Sequence, residues 1–101
     1  MIVYEVSIEV DREVADAYLA WLRDHVAQIL ALPGFLAAQR YERSDVAADA
    51  PRRSLVVVYR LRDAQALEDY FTHHAPALRA DGQARFPGQF SASRRVLREL
   101  V

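Results

Sequence analysis

The sequence contains no cysteine, no lysine and no asparagine, and it has only three glycines among 101 residues. Without cysteine there can be no disulfide, thiolate nucleophile, zinc ribbon or iron–sulfur ligation, and the chain suits a reducing cytoplasm. No apolar stretch approaches the roughly 20 residues that a membrane-spanning helix needs. The chain enters an alternating pattern at once, from Ile2 to Val10, so no signal peptide and a cytoplasmic location are expected. An excess of either charge is also lacking: the formal net charge is −1 and the pI lies near 6.3. Binding to nucleic acid or to an anionic membrane would therefore need a local basic patch, and neither partner is expected. All 13 basic residues are arginine, so an arginine here is weaker evidence of function than usual.

What is present is enough apolar material, 52% of the residues, for one core, and a single domain over residues 1–101 is expected. Ile2, Tyr4, Val6, Ile8 and Val10 alternate with Val3, Glu5, Ser7 and Glu9, the period of a strand with one buried face. Asp11 is placed to cap a helix running to about Leu32, with Val14, Tyr18, Leu22, Val26 and Ile29 on one side. Pro33 and Gly34 stop that helix, and Phe35 opens a second strand reaching about Arg43. The polar Ser44–Arg53 segment reads as a hairpin loop, and Ser54–Leu61 as a central third strand. Asp63 caps a second helix, interrupted at Pro76 and ending near Gly82, before a fourth strand from Phe90 to Leu97. Two right-handed strand-helix-strand units predict an α+β, ferredoxin-like βαββαβ fold: an antiparallel four-stranded sheet of order 4-1-3-2, with two helices on one face.

The other face of such a sheet is bare. Val3, Glu5, Ser7 and Glu9 should lie there with Val56, Val58 and Arg60, and a Glu5–Arg60 pair is expected across the strands. Tyr4 and Tyr59 point under the helices, so the stacking platform of an RNA-recognition module is missing. The first turn, Val10-Asp11-Arg12-Glu13, has acids where a phosphate-binding loop would need glycines. A second copy of the chain, docking through Val3, Glu5, Val56, Val58 and Arg60, is the expected cover.

Four segments carry a resemblance: Ile2-Val3-Tyr4-Glu5-Val6, Leu32-Pro33-Gly34-Phe35, Ala66-Leu67-Glu68-Asp69-Tyr70 and the run from Arg85 to Arg95. Together they resemble a small bacterial domain-of-unknown-function family within the dimeric alpha-beta barrel superfamily, over nearly the whole chain. The resemblance implies a homodimer whose two sheets form a central barrel, with a cleft in each protomer between helices and sheet. Relatives there include cofactor-independent monooxygenases, haem-degrading enzymes and isomerases, and no catalytic residue carries over to a position in this chain. The Asn-Trp-His constellation of the haem-degrading relatives lacks its asparagine here, so no cofactor is expected.

Tyr4, Trp21, His25 and His74 are the candidate ligand-binding residues. Trp21 and His25 lie one helical turn apart at the border of the apolar sector, where they can stack on a ligand or simply fill the core edge. His74 falls in the apolar stripe of the second helix, as a base, a ligand contact or a satisfied core histidine. His73 should be solvated, within reach of Asp69. The antiparallel helices hold His25 and His74 too far apart to share a metal, and none is expected. Arg94 and Arg95 point to opposite faces of the fourth strand, one toward Glu5 or Glu9 and the other toward solvent or an acidic ligand. The preferred function is a homodimeric small-molecule binder. The alternatives are a cofactor-independent monooxygenase or isomerase using His25 or His74 as base, and an interaction protein with a filled cleft.

Overall fold

The alternating N-terminal segment forms β1 (Ile2–Asp11), which lies in the middle of the sheet because both of its edges are taken. The computed structural model describes residues 1–101. β1 pairs antiparallel with β3 (Arg52–Leu61) on one side and with β4 (Phe90–Arg98) on the other, and β2 (Phe35–Glu42) pairs with β3. The resulting order, β2-β3-β1-β4, is the one expected, and the fold is ferredoxin-like. Helices α1 (Ala15–Leu30), α2 (Ala64–His73) and α3 (Ala75–Arg85) complete the chain. None of them is long and apolar enough to cross a membrane.

The core sits between the helices and one sheet face. Tyr4, Ile8 and Val10 of β1 and Val57, Tyr59 and Leu61 of β3 are buried there, under Tyr18, Leu22, Val26 and Ile29 of α1. Each fully buried side chain of this size contributes about 1.5–3 kcal/mol, which is what holds α1 against the sheet.

Several local expectations are corrected. Asp11 makes no cap: residues Arg12–Val14 form a 3-10 turn, and the Asp11 carboxylate instead accepts from Arg52 Nε at 2.8 Å. The opposite charge across the β1–β3 ladder outcompetes amides that the tighter turn aims elsewhere. α1 stops at Leu30 rather than Leu32, the Leu32 amide donating to the Ile29 carbonyl. The hairpin loop is shorter than expected because Arg52 and Arg53 already belong to β3. The interruption at Pro76 is a restart, as expected, but the continuation runs past Gly82 to Arg85. The break falls at His74 (φ −126°, ψ −41°), leaving Pro76 in the first turn of α3, where its missing amide costs no hydrogen bond. Asp63 does cap α2, accepting from the Ala66 amide at 2.9 Å.

Gly34 fixes how the helical layer meets β2. Its φ of 85° disfavours any L side chain, and a Cβ there would overlap the Ala66 side chain of α2. On the face without helices, Glu5 bonds Arg95 and not Arg60. Arg95 lies directly opposite Glu5 on β4 and donates at 2.8 Å, whereas Arg60 lies opposite Val3.

Candidate functional site

Between α1, α3 and the sheet lies a cavity of about 120 Å³. Its floor comes from alternate residues of three strands: Tyr4 and Val6 of β1, Tyr59 of β3, and Phe90, Ala92 and Arg94 of β4. The strand period of two places all of these on the helix side. Tyr18, Trp21 and His25 descend from α1 at helical spacing, and Arg79 and Gly82 face them from α3. Gly82 permits the close approach, since a Cβ there would lie 3.0 Å from the Trp21 ring and 3.5 Å from Phe90.

Trp21 is fixed at both ends. Its Nε1–H donates to Asp81 Oδ2 at 3.0 Å, and Asp81 also accepts from Arg85 Nε at 2.9 Å. These two hydrogen bonds, that from Trp21 foremost, hold the Asp81 carboxyl below the usual carboxylate range. The His25 ring stacks on Trp21 with centroids 4.5 Å apart and planes at 22°, so helical spacing has become direct contact. His25 Nδ1 is buried without a hydrogen-bond partner, alone among the buried side-chain nitrogens and oxygens. Burial lowers the His25 pKa from 6.5, Asp81 opposes the shift and Arg94 adds to it, so the imidazole is neutral at pH 7. Burial likewise pushes Tyr18 and Tyr70 up to about 12 and Tyr59 higher still. These phenols stay protonated at neutral pH, and the imidazole beside them is uncharged.

Tyr4, Trp21 and His25 therefore line one cavity, and His74 does not. His74 sits at the α2–α3 break and borders a separate pocket of about 90 Å³ with Leu32, Phe35, Arg62 and Asp69. Its amide still donates to the Tyr70 carbonyl, but at this end of α2 the stripe faces the Leu32–Phe35 corner and not the cavity. Tyr70 lines both spaces. His73 is exposed, and Asp69 accepts from Gln65 at 2.9 Å instead. Nowhere do three His, Asp or Glu side chains gather as metal ligands.

Sequence reasoning passed over Arg79, Tyr18 and Gly82, and it left Arg94 without a face. The signal for Arg94 was present. Phe90 and Ala92 share its strand parity, and a buried-leaning Phe-x-Ala-x-Arg phase carries the arginine inward with them. Gly82 had no comparable signal, because its role depends on which residue of α1 it meets.

The profile of a family described as a domain of unknown function, DUF4286, matches residues 1–100. Among curated proteins no match to the sequence is found. Solved structures share the fold. An antibiotic biosynthesis monooxygenase superposes with a TM-score of 0.71 at 18% identity, covering 100% of both chains. A variant of SnoaB, a cofactor-independent oxygenase from Streptomyces nogalater, superposes at 0.64 with 14% identity, over 97% of this chain and 92% of that one. A variant of MhuD, with two manganese protoporphyrin IX molecules bound per active site, superposes at 0.69 with 19% identity, over 100% and 96%. At these identities the likeness concerns the fold.

Proposed function

Starting from the premise that the chain belongs to the DUF4286 family, we propose that it is a cytoplasmic homodimer that binds a small molecule in the cavity between helices and sheet. The observation that carries the binding reading is an aromatic-walled cavity bordered by His25, whose buried Nδ1 has no protein partner. Buried polar atoms in native proteins nearly always find a partner, and an orphan beside a cavity is a position where a bound molecule supplies one. An interaction protein with a filled cleft fits less well, because a void of about 120 Å³ forgoes packing that such a protein would keep.

The homodimer is supported by the uncovered sheet face. Val3, Val56 and Val58 lie on it beside the half-exposed Tyr41 and Leu97, and Glu5 and Arg95 neutralise each other there. A second copy provides a surface of the same mixed character, sheet against sheet.

A cofactor-independent oxygenase or isomerase is the second reading. The neutral His25 imidazole stands among protonated phenols, an arrangement suited to taking a proton from a ligand and stabilising the resulting oxyanion. One of the structural neighbours is a cofactor-independent oxygenase, a resemblance in fold.

Two measurements test these readings. Solution mass at micromolar concentration should be about twice the 11.5 kDa of one chain, and a monomer mass would overturn the dimer. A small-molecule screen read by Trp21 emission and amide shifts should give saturable hits, lost when Ala92→Leu fills the floor. Hits that persist in that variant would place binding elsewhere. Turnover of a hit by the natural sequence, abolished in His25→Ala, would favour the enzyme over the binder.

A further inference from the structure

The walls of the cavity carry two arginines, Arg79 from α3 and Arg94 from β4, and no aspartate or glutamate. Eight ion pairs form in the chain, and neither of these arginines takes part in one. Arg79 Nη2 reaches the Tyr4 hydroxyl at 3.4 Å, and its guanidinium carbon lies 5.7 Å from the centre of the Phe71 ring. Asp81, the acid that acts on His25, is engaged by Trp21 and Arg85. Positive charge without a protein counter-ion thus meets an aromatic interior that opens to solvent. Such an opening favours an anion with an apolar body, since the arginines at its rim offer charge-assisted hydrogen bonds while the rings within accept hydrophobic surface.

Resting on the reading of this cavity as a small-molecule site, we propose that its ligand is a compact aromatic carboxylate, with the carboxylate at Arg94 and Arg79 and the ring among Tyr18, Trp21 and Phe90. The size agrees: an apolar cavity of about 150 Å³ admits benzene, and this one, at about 120 Å³ with an open mouth, admits one ring rather than several. The rings of Trp21 and Phe90 both lie near that of Tyr18, at centroid distances of 5.4 and 5.2 Å, and form the aromatic wall.

Trp21 is the sole tryptophan; it borders this cavity and, on its other side, a polar pocket with Asp24, Asp81 and Arg85, so its emission reports binding at either and the arginine variants assign it to the cavity. The test titrates the full-length protein with benzoate and 4-hydroxybenzoate and, as neutral counterparts, benzamide and 4-hydroxybenzamide. The acids should saturate the signal and the amides should bind at least tenfold more weakly. Arg94→Gln should weaken the acids tenfold or more while leaving the amides unchanged, and Arg79→Gln should act in the same direction. Both arginines are exposed at the mouth, so each variant should keep its far-ultraviolet dichroism, and either one suffices if the other misfolds. Amides binding as tightly as acids, or acids unaffected by both substitutions, would overturn the carboxylate assignment and leave the cavity reading standing. No response to any of the four probes at millimolar concentration would overturn the aromatic-carboxylate assignment, while the wider screen with Ala92→Leu decides the cavity reading separately.

Discussion

Arg94 and Arg95 are consecutive residues of β4, and the pleat sends them to opposite faces of the same sheet. On the face without helices, arginines meet acids. Arg95 bonds Glu5, Arg52 bonds Asp11, and Glu9 accepts from the Ser54 hydroxyl. On the roofed face Arg94 meets tyrosines and His25, and no carboxylate. In a chain whose basic residues are all arginine, residue type says little about role. Pairing says more: on the open face Glu5 and Asp11 hold Arg95 and Arg52 while Arg60 stays unpaired, and at the cavity neither arginine is held by an acid.

The difference between the faces is broken most severely by detaching the roof. Gly34→Ala imposes a left-handed backbone on a residue with a Cβ and drives that Cβ into Ala66, at the point where α2 meets the start of β2. The two penalties together should cost about 3 kcal/mol. Urea unfolding should show a large fall in midpoint with an unchanged slope, and a midpoint within error of the natural protein would refute this account of the corner.

The Gly34 corner was legible because it is local. Leu32-Pro33-Gly34-Phe35 contains its own stop signal and its own restart, and the strand and helix periods on either side needed no tertiary information. The sheet order followed from handed crossovers in the same way. Where two elements had to be placed relative to each other, sequence patterns failed. Helical phase put His74 in the apolar stripe of the second helix, but it stands at the end of α2 and borders another pocket. Arg60 as the partner of Glu5 lies on the wrong neighbouring strand, since polarity alone does not distinguish β3 from β4, whereas the expectation that Arg94 or Arg95 reaches Glu5 or Glu9 is met by Arg95. Trp21 and His25 were placed together correctly, because i and i+4 contact is again a local matter.

A smaller effect distinguishes the roofed face by pH. Burial holds the folded-state pKa of His25 below 6.5, against the pull of Asp81 and with the repulsion of Arg94. Between that lowered value and 6.5 the unfolded chain binds more protons than the native one, so the His25 contribution is complete above pH 6.5 and is lost as pH falls through the folded pKa. The lowered carboxyls of Asp81, Glu42 and Asp63 exert their linkage at more acidic pH, below 3.8 to 4.5. Unfolding free energies at pH 7.5, 6.5 and 5.5 should therefore decline in the natural protein and decline less in His25→Gln. Parallel profiles would show that the imidazole is solvated and that the cavity does not shield it.

The smallest effect bears most directly on the two arginines. Arg95 is two-thirds exposed, so its bond to Glu5 is heavily screened, and Arg95→Gln should cost about 0.5 kcal/mol or less. Arg94→Gln removes a guanidinium that pairs with no acid, and its thermal midpoint should stay level or rise slightly. If Arg94→Gln proves the more destabilising of the two, Arg94 holds the fold together and the contrast between the faces collapses. Protein concentration adds a second axis. A second copy on the open face would take Glu5 and Arg95 out of water together, and an acid left there without its arginine is costly to bury. The loss in Arg95→Gln should then grow as the natural protein is concentrated into dimer, whereas Arg94→Gln should show no such dependence.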